Sequence, residues 1–174
     1  MLDFWDISII SLVVFIVLVF TIKILIRIRY VKTINNISAK VKEILPNGII
    51  RLYERENVYQ IQVDEQNLIT LIKVILSREE YEFIITNSNK WTVNNNPLQW
   101  TRKSKPMFIS DSDAFINIKK TDLPLRKIVL IYPSCKRVIR YLNESDTIMV
   151  REKDTVNGIN FVQWIDLEKI LKNQ

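Results

Sequence analysis

Histidine is absent from this chain of 174 residues, and cysteine occurs only once, as Cys135. The absence of imidazole excludes serine–histidine chemistry, histidine general bases and the usual zinc-site patterns. A single thiol cannot form an internal disulfide. Lys136 could lower the pKa of Cys135, but no imidazole can activate it, so we expect a structural or incidental thiol.

Glycine is almost absent as well, because the chain has only Gly48 and Gly158. They are too far apart to build a glycine-rich phosphate loop. Charge is more balanced, with 25 basic and 19 acidic residues and a formal charge of +6. Four basic and two acidic residues flank the apolar segment described next, which leaves 21 basic and 17 acidic residues, or +4. This charge permits binding to nucleic acid or an anionic membrane surface without requiring it.

Residues 7–22 form a long apolar run without a charge, and Lys23 and three further apolar residues extend it. A helix needs about 20 predominantly apolar residues to cross a hydrocarbon core about 30 Å thick. The run therefore predicts a transmembrane anchor that, with its basic flank, covers residues 1–32. The residues expected to contact the lipid bilayer or its border include Ile7, Phe15, Phe20, Ile22, Lys23 and Arg27.

Charged residues are distributed unequally around this run. Asp3 and Asp6 precede it, and the basic residues that follow it are Lys23, Arg27, Arg29 and Lys32. Because basic residues collect on the cytoplasmic side, we predict a single-pass protein of the cell membrane, with its N-terminus outside and residues 33–174 in the cytoplasm. A cleaved signal peptide or a buried core helix is the alternative. Neither fits the acidic start and the all-round apolar surface as well as an anchor does.

The remaining pattern predicts one mixed α/β domain with a central sheet. The anchor helix is expected to continue to Leu45 with an amphipathic face, and Pro46 and Gly48 are expected to end it. Beyond this point, short runs rich in β-branched and aromatic residues predict strands. The predicted strands cover residues 49–53, 58–63, 68–76, 81–85, 91–93, 128–133 and 147–150, with a turn at 94–97 and helices near 111–116 and over 161–171.

Four short motifs accompany this order of elements. They are Val41 with Leu45 in the opening helix, Gln60-Ile61-Gln62 with Leu71-Ile72-Lys73-Val74-Ile75, Lys90-Trp91-Thr92 followed by Asn96-Pro97-Leu98-Gln99, and the apolar run 128–133. Together they resemble the nuclease-related domain family (NERD), which is often found in bacteria, in some members behind a membrane helix. The resemblance spans about residues 35–171, and its most specific part includes Trp91, Asn96, Pro97 and Gln99.

The resemblance implies a metal-dependent nuclease core, in which carboxylates hold Mg²⁺ and a lysine assists the attacking water. This chain departs from the family at Ser38, Gln62, Lys73 and Ile75, which replace a glutamate, an aspartate, a glutamate and a lysine. The nearest substitutes are Asp64 and Glu65 as acids and Lys73 as the assisting cation. We therefore expect a degenerate site without a cofactor, and Mg²⁺ only if catalysis is retained.

Basic residues interleaved with tryptophan and tyrosine form a second candidate feature. Cations beside stacking rings suit nucleic acid or another phosphate-rich partner, although such rings are also common in cores and interfaces. Asp111 and Asp113 are a candidate metal pair, but a helix cap is the interpretation that their position favours. The candidate basic residues are Arg102, Lys103, Lys105, Lys119, Lys120, Lys136, Arg137 and Arg140.

Two functions fit these features. The anchor and the incomplete catalytic pattern predict an accessory protein whose cytoplasmic domain binds a protein or nucleic acid, or assembles with copies of itself, without catalysis. The alternative is a membrane-tethered, Mg²⁺-dependent nuclease acting on DNA or RNA, which the motif resemblance implies. We expect the first.

Overall fold

A computed structural model describes residues 4–86, 90–94, 106–119, 122–143 and 146–172, with side chains from Ser11 onward. The chain divides between Ala39 and Lys40 into two compact units. The first contains most of one long helix, and the second contains the end of that helix and all of the strands. The predicted turn at 94–97 falls largely outside the described residues.

The long helix α1 spans Phe4–Ile44. It contains an 18-residue window with a mean hydropathy of 2.6, so the helix is long and apolar enough to cross a membrane. Its described apolar side chains up to Ile28 lie largely in the open, among them Phe15 and Phe20. The chain leaves the helix through Leu45, whose carbonyl accepts a 3.1 Å hydrogen bond from the Gly48 amide. The predicted continuation of the helix beyond the apolar run is thereby confirmed.

The α/β class is confirmed, but the strands form two sheets rather than a single one. The first sheet has the order β1-β2-β3-β7-β11-β10, and the second has the order β6-β5-β4-β8-β9. In the first sheet β3, β7 and β11 are mutually parallel neighbours, and in the second β4 and β8 are parallel. The strands are β1 Ile49–Leu52, β2 Ile61–Asp64, β3 Ile69–Leu76, β4 Glu82–Ile85, β5 Trp91–Asn94, β6 Met107–Phe108, β7 Leu125–Tyr132, β8 Arg137–Tyr141, β9 Thr147–Met149, β10 Thr155–Val156 and β11 Ile159–Gln163.

The main core lies between the two sheets. Its centre is aromatic: Trp91 of β5 contacts Phe161 of β11 edge-on, with 5.4 Å between ring centroids, and also contacts Phe83 and Phe115. Phe115 belongs to the short helix α2, Ser112–Ile116, which is close to the helix predicted near 111–116. Burying several rings with edge-to-face contacts stabilises a core beyond the area term alone. The core therefore holds the two sheets and α2 together.

A second buried layer lies on the other face of the first sheet. Strand alternation places Ile61, Ile72 and Leu130 on this face, and all three are fully buried. Two helical residues are also fully buried, Val41 near the end of α1 and Leu171 in α3, Leu167–Lys172. Because β3 and β7 are buried on both faces, they read as continuous apolar runs in the sequence. This is why both strands were predicted correctly.

The prediction of one helix over 161–171 is wrong in its first half. Residues up to Gln163 belong to β11, Trp164–Asp166 form a 3-10 turn, and only α3 is helical. Phe161 and Val162 are adjacent and both buried, because β11 pairs with β7 and is covered on both faces. A strand buried on both faces has no period-two pattern, and the following apolar residues imitated a helical spacing.

Candidate binding site on the first sheet

A set of polar side chains shares one face at the β1–β2 end of the first sheet. The strands pair antiparallel, with Arg51 opposite Gln62 and Gln62 opposite Leu71. Because side chains alternate along a strand, Asp64 and Gln62 lie on the same face of β2. Leu71 on this face belongs to the core between the sheets. The polar side chains therefore lie on the same face of the sheet as the main core, between the core and the edge strand β1.

These side chains form a continuous hydrogen-bonded chain. The hydroxyls of Tyr53 and Tyr59 both donate to Oε1 of Gln62, each at 3.1 Å. The Gln62 amide nitrogen donates to Oδ1 of Asp64 at 2.6 Å. The other carboxylate oxygen of Asp64 lies 3.2 Å from Nη2 of Arg51. We call these five residues the tyrosine–arginine network.

The network is ordered at one end and open at the other. The rings of Tyr53 and Tyr59 meet edge to face, with 5.1 Å between their centroids. Burial, followed by the proximity of Tyr53 and of Asp64, raises the pKa of the Tyr59 phenol above its usual value. At the other end, the Arg51 side chain is 60% exposed. A partner can therefore reach a guanidinium whose carboxylate neighbour is already in place.

Two buried polar residues hold the loop that carries the tyrosines. Lys73 on β3 is buried, and its ammonium donates to the carbonyl of Val58 at 2.9 Å. The buried amide of Gln60 donates to the carbonyl of Asn57 at 2.9 Å and accepts from the Val74 amide at 2.9 Å. Buried polar groups that are hydrogen-bonded fix one local conformation. The loop is thus tied to the central strand on both sides of Tyr59.

The structure separates the predicted catalytic residues. Glu65 lies 3.7 Å from Arg126, whose Nε donates to the hydroxyl of Thr70. In the strand register, Thr70 and Arg126 lie on the face of the sheet opposite Asp64. Burial lowers the pKa of the Lys73 amine, and the charge of Asp111 opposes this shift. Asp64 and Lys73 share a face, but each has its own partner. Within the described ranges, no three histidine, cysteine, aspartate or glutamate residues come together as a potential metal site.

The other acidic pair lies at the start of α2. Asp111 is the N-cap residue of this helix, with φ at 63°, and its side chain makes no capping hydrogen bond. Asp113 follows in the first turn, and both residues are exposed. The predicted position before a helix is confirmed, whereas the side-chain cap itself is not formed.

The predicted basic residues occupy different environments. Lys119 and Lys136 are exposed, whereas Arg137 donates through Nε to the buried carboxylate of Glu82 at 2.7 Å. Arg140 is partly buried, and its Nε has no hydrogen-bond partner within the described part of the chain. The structure therefore does not gather these four side chains into one exposed patch. The candidates Arg102, Lys103, Lys105 and Lys120 lie outside the described residues.

The residues of the motif resemblance and the thiol lie away from the network. Trp91 is buried in the main core, and Asn96, Pro97 and Gln99 lie outside the described residues. Cys135 is buried, and desolvation raises the pKa of its thiol to about 11. Burial outweighs the effect expected of Lys136, and a buried thiol with a raised pKa is unreactive, as expected of a structural or incidental cysteine.

Asp64 is a candidate from the sequence and Gln62 is noted there only as a departure from the family, whereas Arg51, Tyr53 and Tyr59 are not predicted as site residues. The four partners of Asp64 lie in predicted strands, and tyrosine and alternating polar residues are common in strands, so their composition gave no separate signal. These partners are Arg51, Tyr53, Tyr59 and Gln62. A signal was present, since a hairpin over 49–63 brings positions 51 and 62 near each other. Only the register shows that both face the same way as Asp64.

Comparison of the chain with protein-family models, curated proteins and solved structures finds no match. The resemblance to the nuclease-related domain family therefore stays a prediction. The function must be inferred from the helix, the network and the sheet edges of this chain.

Proposed function

We propose that this chain is a single-pass, membrane-anchored accessory protein whose cytoplasmic α/β domain binds a partner protein without catalysis. The observation that carries the proposal is the tyrosine–arginine network at the edge of the first sheet, in a chain that also has a helix able to cross a membrane. The proposal treats the network as the contact surface and the helix as the anchor that localises it.

The composition of the network supports protein binding. Tyrosine and arginine are enriched among residues that contribute most to protein–protein affinity. Tyr53 and Tyr59 are held by a shared acceptor, Gln62, so little side-chain entropy remains to be lost on binding. Asp64 orients Arg51 from one side and leaves most of the side chain exposed to a partner. An acidic or carbonyl-rich surface fits this arrangement best.

The charge distribution supports the orientation. Arg27, Arg29 and Lys32 follow the apolar part of α1, and Asp6 lies at its start. The excess of basic residues after the span favours a cytoplasmic location for the following domain. A protein fixed in this way meets its partner at the inner surface of the membrane.

Attachment and orientation are tested on the full chain expressed in bacterial cells. We expect the protein to float with membranes after alkaline washing, and an external protease to leave residues 33–174 intact until the cells are opened. A protein that remains in the soluble fraction would contradict the anchor. Digestion of the domain in intact cells would reverse the orientation.

Partner binding is tested by placing a photo-crosslinking amino acid at Ile49 in the membrane-bound full chain, because Ile49 is 63% exposed and lies on the same face of β1 as Arg51. We expect an adduct of defined mass that is absent when the crosslinker replaces Lys119, an exposed residue outside the network. Gln62→Ala, which removes the shared acceptor, should reduce the adduct about tenfold. An equal yield at both positions would refute the site, and an adduct sensitive to nuclease would identify nucleic acid instead.

The catalytic alternative is separated by a direct assay. The detergent-solubilised chain is incubated with plasmid and single-stranded DNA and RNA, with Mg²⁺ and then with EDTA. We expect no cleavage. Metal-dependent cleavage that is lost in Lys73→Met would contradict the binding function and support the nuclease function instead.

A further inference from the structure

The edge strand β9 differs from an ordinary protected sheet edge. It closes the described second sheet, where β8 is its neighbour on one side. Its residues Thr147, Ile148 and Met149 are all exposed and carry no charge. Soluble proteins usually protect such edges with charged residues, proline or bulges. An uncharged, apolar edge therefore requires an explanation.

The hydrogen bonds of β9 show which backbone groups face outward. The Leu142 amide donates to the Asp146 carbonyl, and the Val150 amide donates to the Val138 carbonyl, both at 2.9 Å. In an antiparallel ladder such bonded pairs alternate with non-bonded pairs. The Ile148 backbone therefore faces β8, whereas the N–H and C=O groups of Thr147 and Met149 point away from it.

We propose that β9 pairs with β9 of a second copy of this chain, antiparallel and centred on Ile148. In this register Thr147 lies opposite Met149 of the second copy, so every outward N–H and C=O group of these two residues finds a partner. A register centred on Met149 would require the Arg151 amide, which already donates to Asp154 at 2.8 Å. The register centred on Ile148 uses only groups that face outward.

The side chains are compatible with the same register. The two Ile148 side chains, each 43% exposed, would meet directly in a non-hydrogen-bonded pair, where side chains approach most closely. Asp146 would lie opposite Val150 of the second copy, so the pairing places no like charges against each other at the described residues. Such a two-fold contact is closed and leads to a dimer rather than a fibre.

A second copy is favoured over an unrelated strand for two reasons. The pairing is self-complementary, and copies anchored in one membrane share one orientation and a high local concentration. Two strands of three residues make a small contact, well below the area of about 1,600 Å² that specific complexes bury. The dimer therefore depends on the anchor, and this inference rests on the proposed attachment to a membrane.

The test uses disulfide formation in the full chain within membranes. Cα atoms in a non-hydrogen-bonded antiparallel pair are about 4.5 Å apart, within the range of about 4.4–6.8 Å for disulfides. Ile148→Cys should therefore give about tenfold more disulfide-linked dimer than Ile165→Cys, whose position is 80% exposed and outside β9. Cys135 is replaced by serine in all variants. Equal yields at both positions would indicate random collision and overturn the inference.

The register is tested with two further variants. Thr147→Cys and Met149→Cys should each give little dimer alone, but membranes that contain both should give the mixed dimer. In the Ile148→Cys background, Met149→Pro removes an outward N–H without breaking a bond to β8 and should reduce the dimer about tenfold. An unchanged yield, in a protein whose circular dichroism is also unchanged, would refute edge pairing.

Membrane flotation of each variant separates the two possible failures. A chain that does not float shows that the proposed attachment is wrong. A chain that floats but forms no Ile148→Cys dimer shows that the attachment holds and that β9 does not pair with itself. A crosslink only to a different protein would assign β9 to another partner and likewise overturn the inference.

Discussion

The carboxylate of Glu82 is fully buried, and its Oε1 accepts a 2.7 Å hydrogen bond from Nε of Arg137. The two residues face each other on the parallel strands β4 and β8. Oε2 of the same carboxylate has no hydrogen-bond partner among the described residues. The second sheet therefore contains a buried acid whose only ion-pair partner among the described residues is Arg137.

Removing the cation of this pair should lower the free energy of unfolding by more than neutralising the acid does. Arg137→Ala leaves a buried carboxylate without compensation, and we expect a loss of about 3 kcal/mol in the free energy of unfolding. Glu82→Gln removes the charge together with its desolvation cost and should lose less. Thermal and chemical unfolding of the detergent-solubilised chain measures both. A larger loss for Glu82→Gln than for Arg137→Ala would contradict this account.

The two glycines should tolerate alanine for different reasons and to different extents. A Cβ at Gly48 would lie 2.6 Å from Cγ1 of Val63, a stiff, buried side chain. Gly48→Ala should therefore cost about 1–3 kcal/mol through overpacking. Gly158 has φ at +73°, and no atom of the described residues lies within 4 Å of the added Cβ, so Gly158→Ala should cost only about 1 kcal/mol through backbone strain. Unfolding midpoints measure the order, and the reverse order would contradict the packing at Gly48.

Cys135 should be unreactive in the native protein at neutral pH. Its pKa of about 11 lies above the ordinary value of 9.0, so the folded chain retains the proton that the unfolded chain loses. The stabilisation from this group is therefore complete below pH 9 and is lost as the pH rises toward about 11. Iodoacetamide labelling at neutral pH should be slow in the native state and fast in denaturant. Rapid native labelling, comparable to that of Ile165→Cys, would contradict this environment.

Gln62 should be the most sensitive position of the tyrosine–arginine network. Gln62→Ala removes the acceptor of both tyrosine hydroxyls and a donor to Asp64, whereas Tyr53→Phe removes one donor. Leaving partly buried polar groups without partners costs about 1–3 kcal/mol. We expect Gln62→Ala to destabilise the domain by more than Tyr53→Phe. Similar small losses for both variants would show that water replaces the network in solution.

The network should also respond to alkaline pH through Tyr59. Its phenol has a raised pKa, so the folded state holds the proton more strongly than the unfolded state does. Stability from Tyr59 is present below the ordinary tyrosine pKa of about 10 and declines as the pH rises through the higher folded value. Tyrosinate absorbance against pH should show a late component that disappears in Tyr59→Phe. A late component that is unchanged in this variant would contradict the environment described for Tyr59.

The sequence by itself determined the features that depend on local composition. Because apolar side chains are unfavourable in water, residues 7–22 predicted a helix long and apolar enough to span a membrane. The buried strands β3 and β7 followed from their continuous apolar residues, and the pair Pro46 and Gly48 marked the end of α1. These predictions needed no information about distant residues.

Only the tertiary structure decided which distant residues share an environment. Pairing between β7 and β11 made residues 161–163 a strand, against a local spacing that resembled a helix. Strand β8 was not predicted, because its basic residues are typical of an exposed segment. In the structure, Arg137 of this strand donates a hydrogen bond to the buried carboxylate of Glu82. The register of β1 and β2 joined Arg51 to Asp64. Register is set by long-range pairing and burial, and a local pattern does not contain that information.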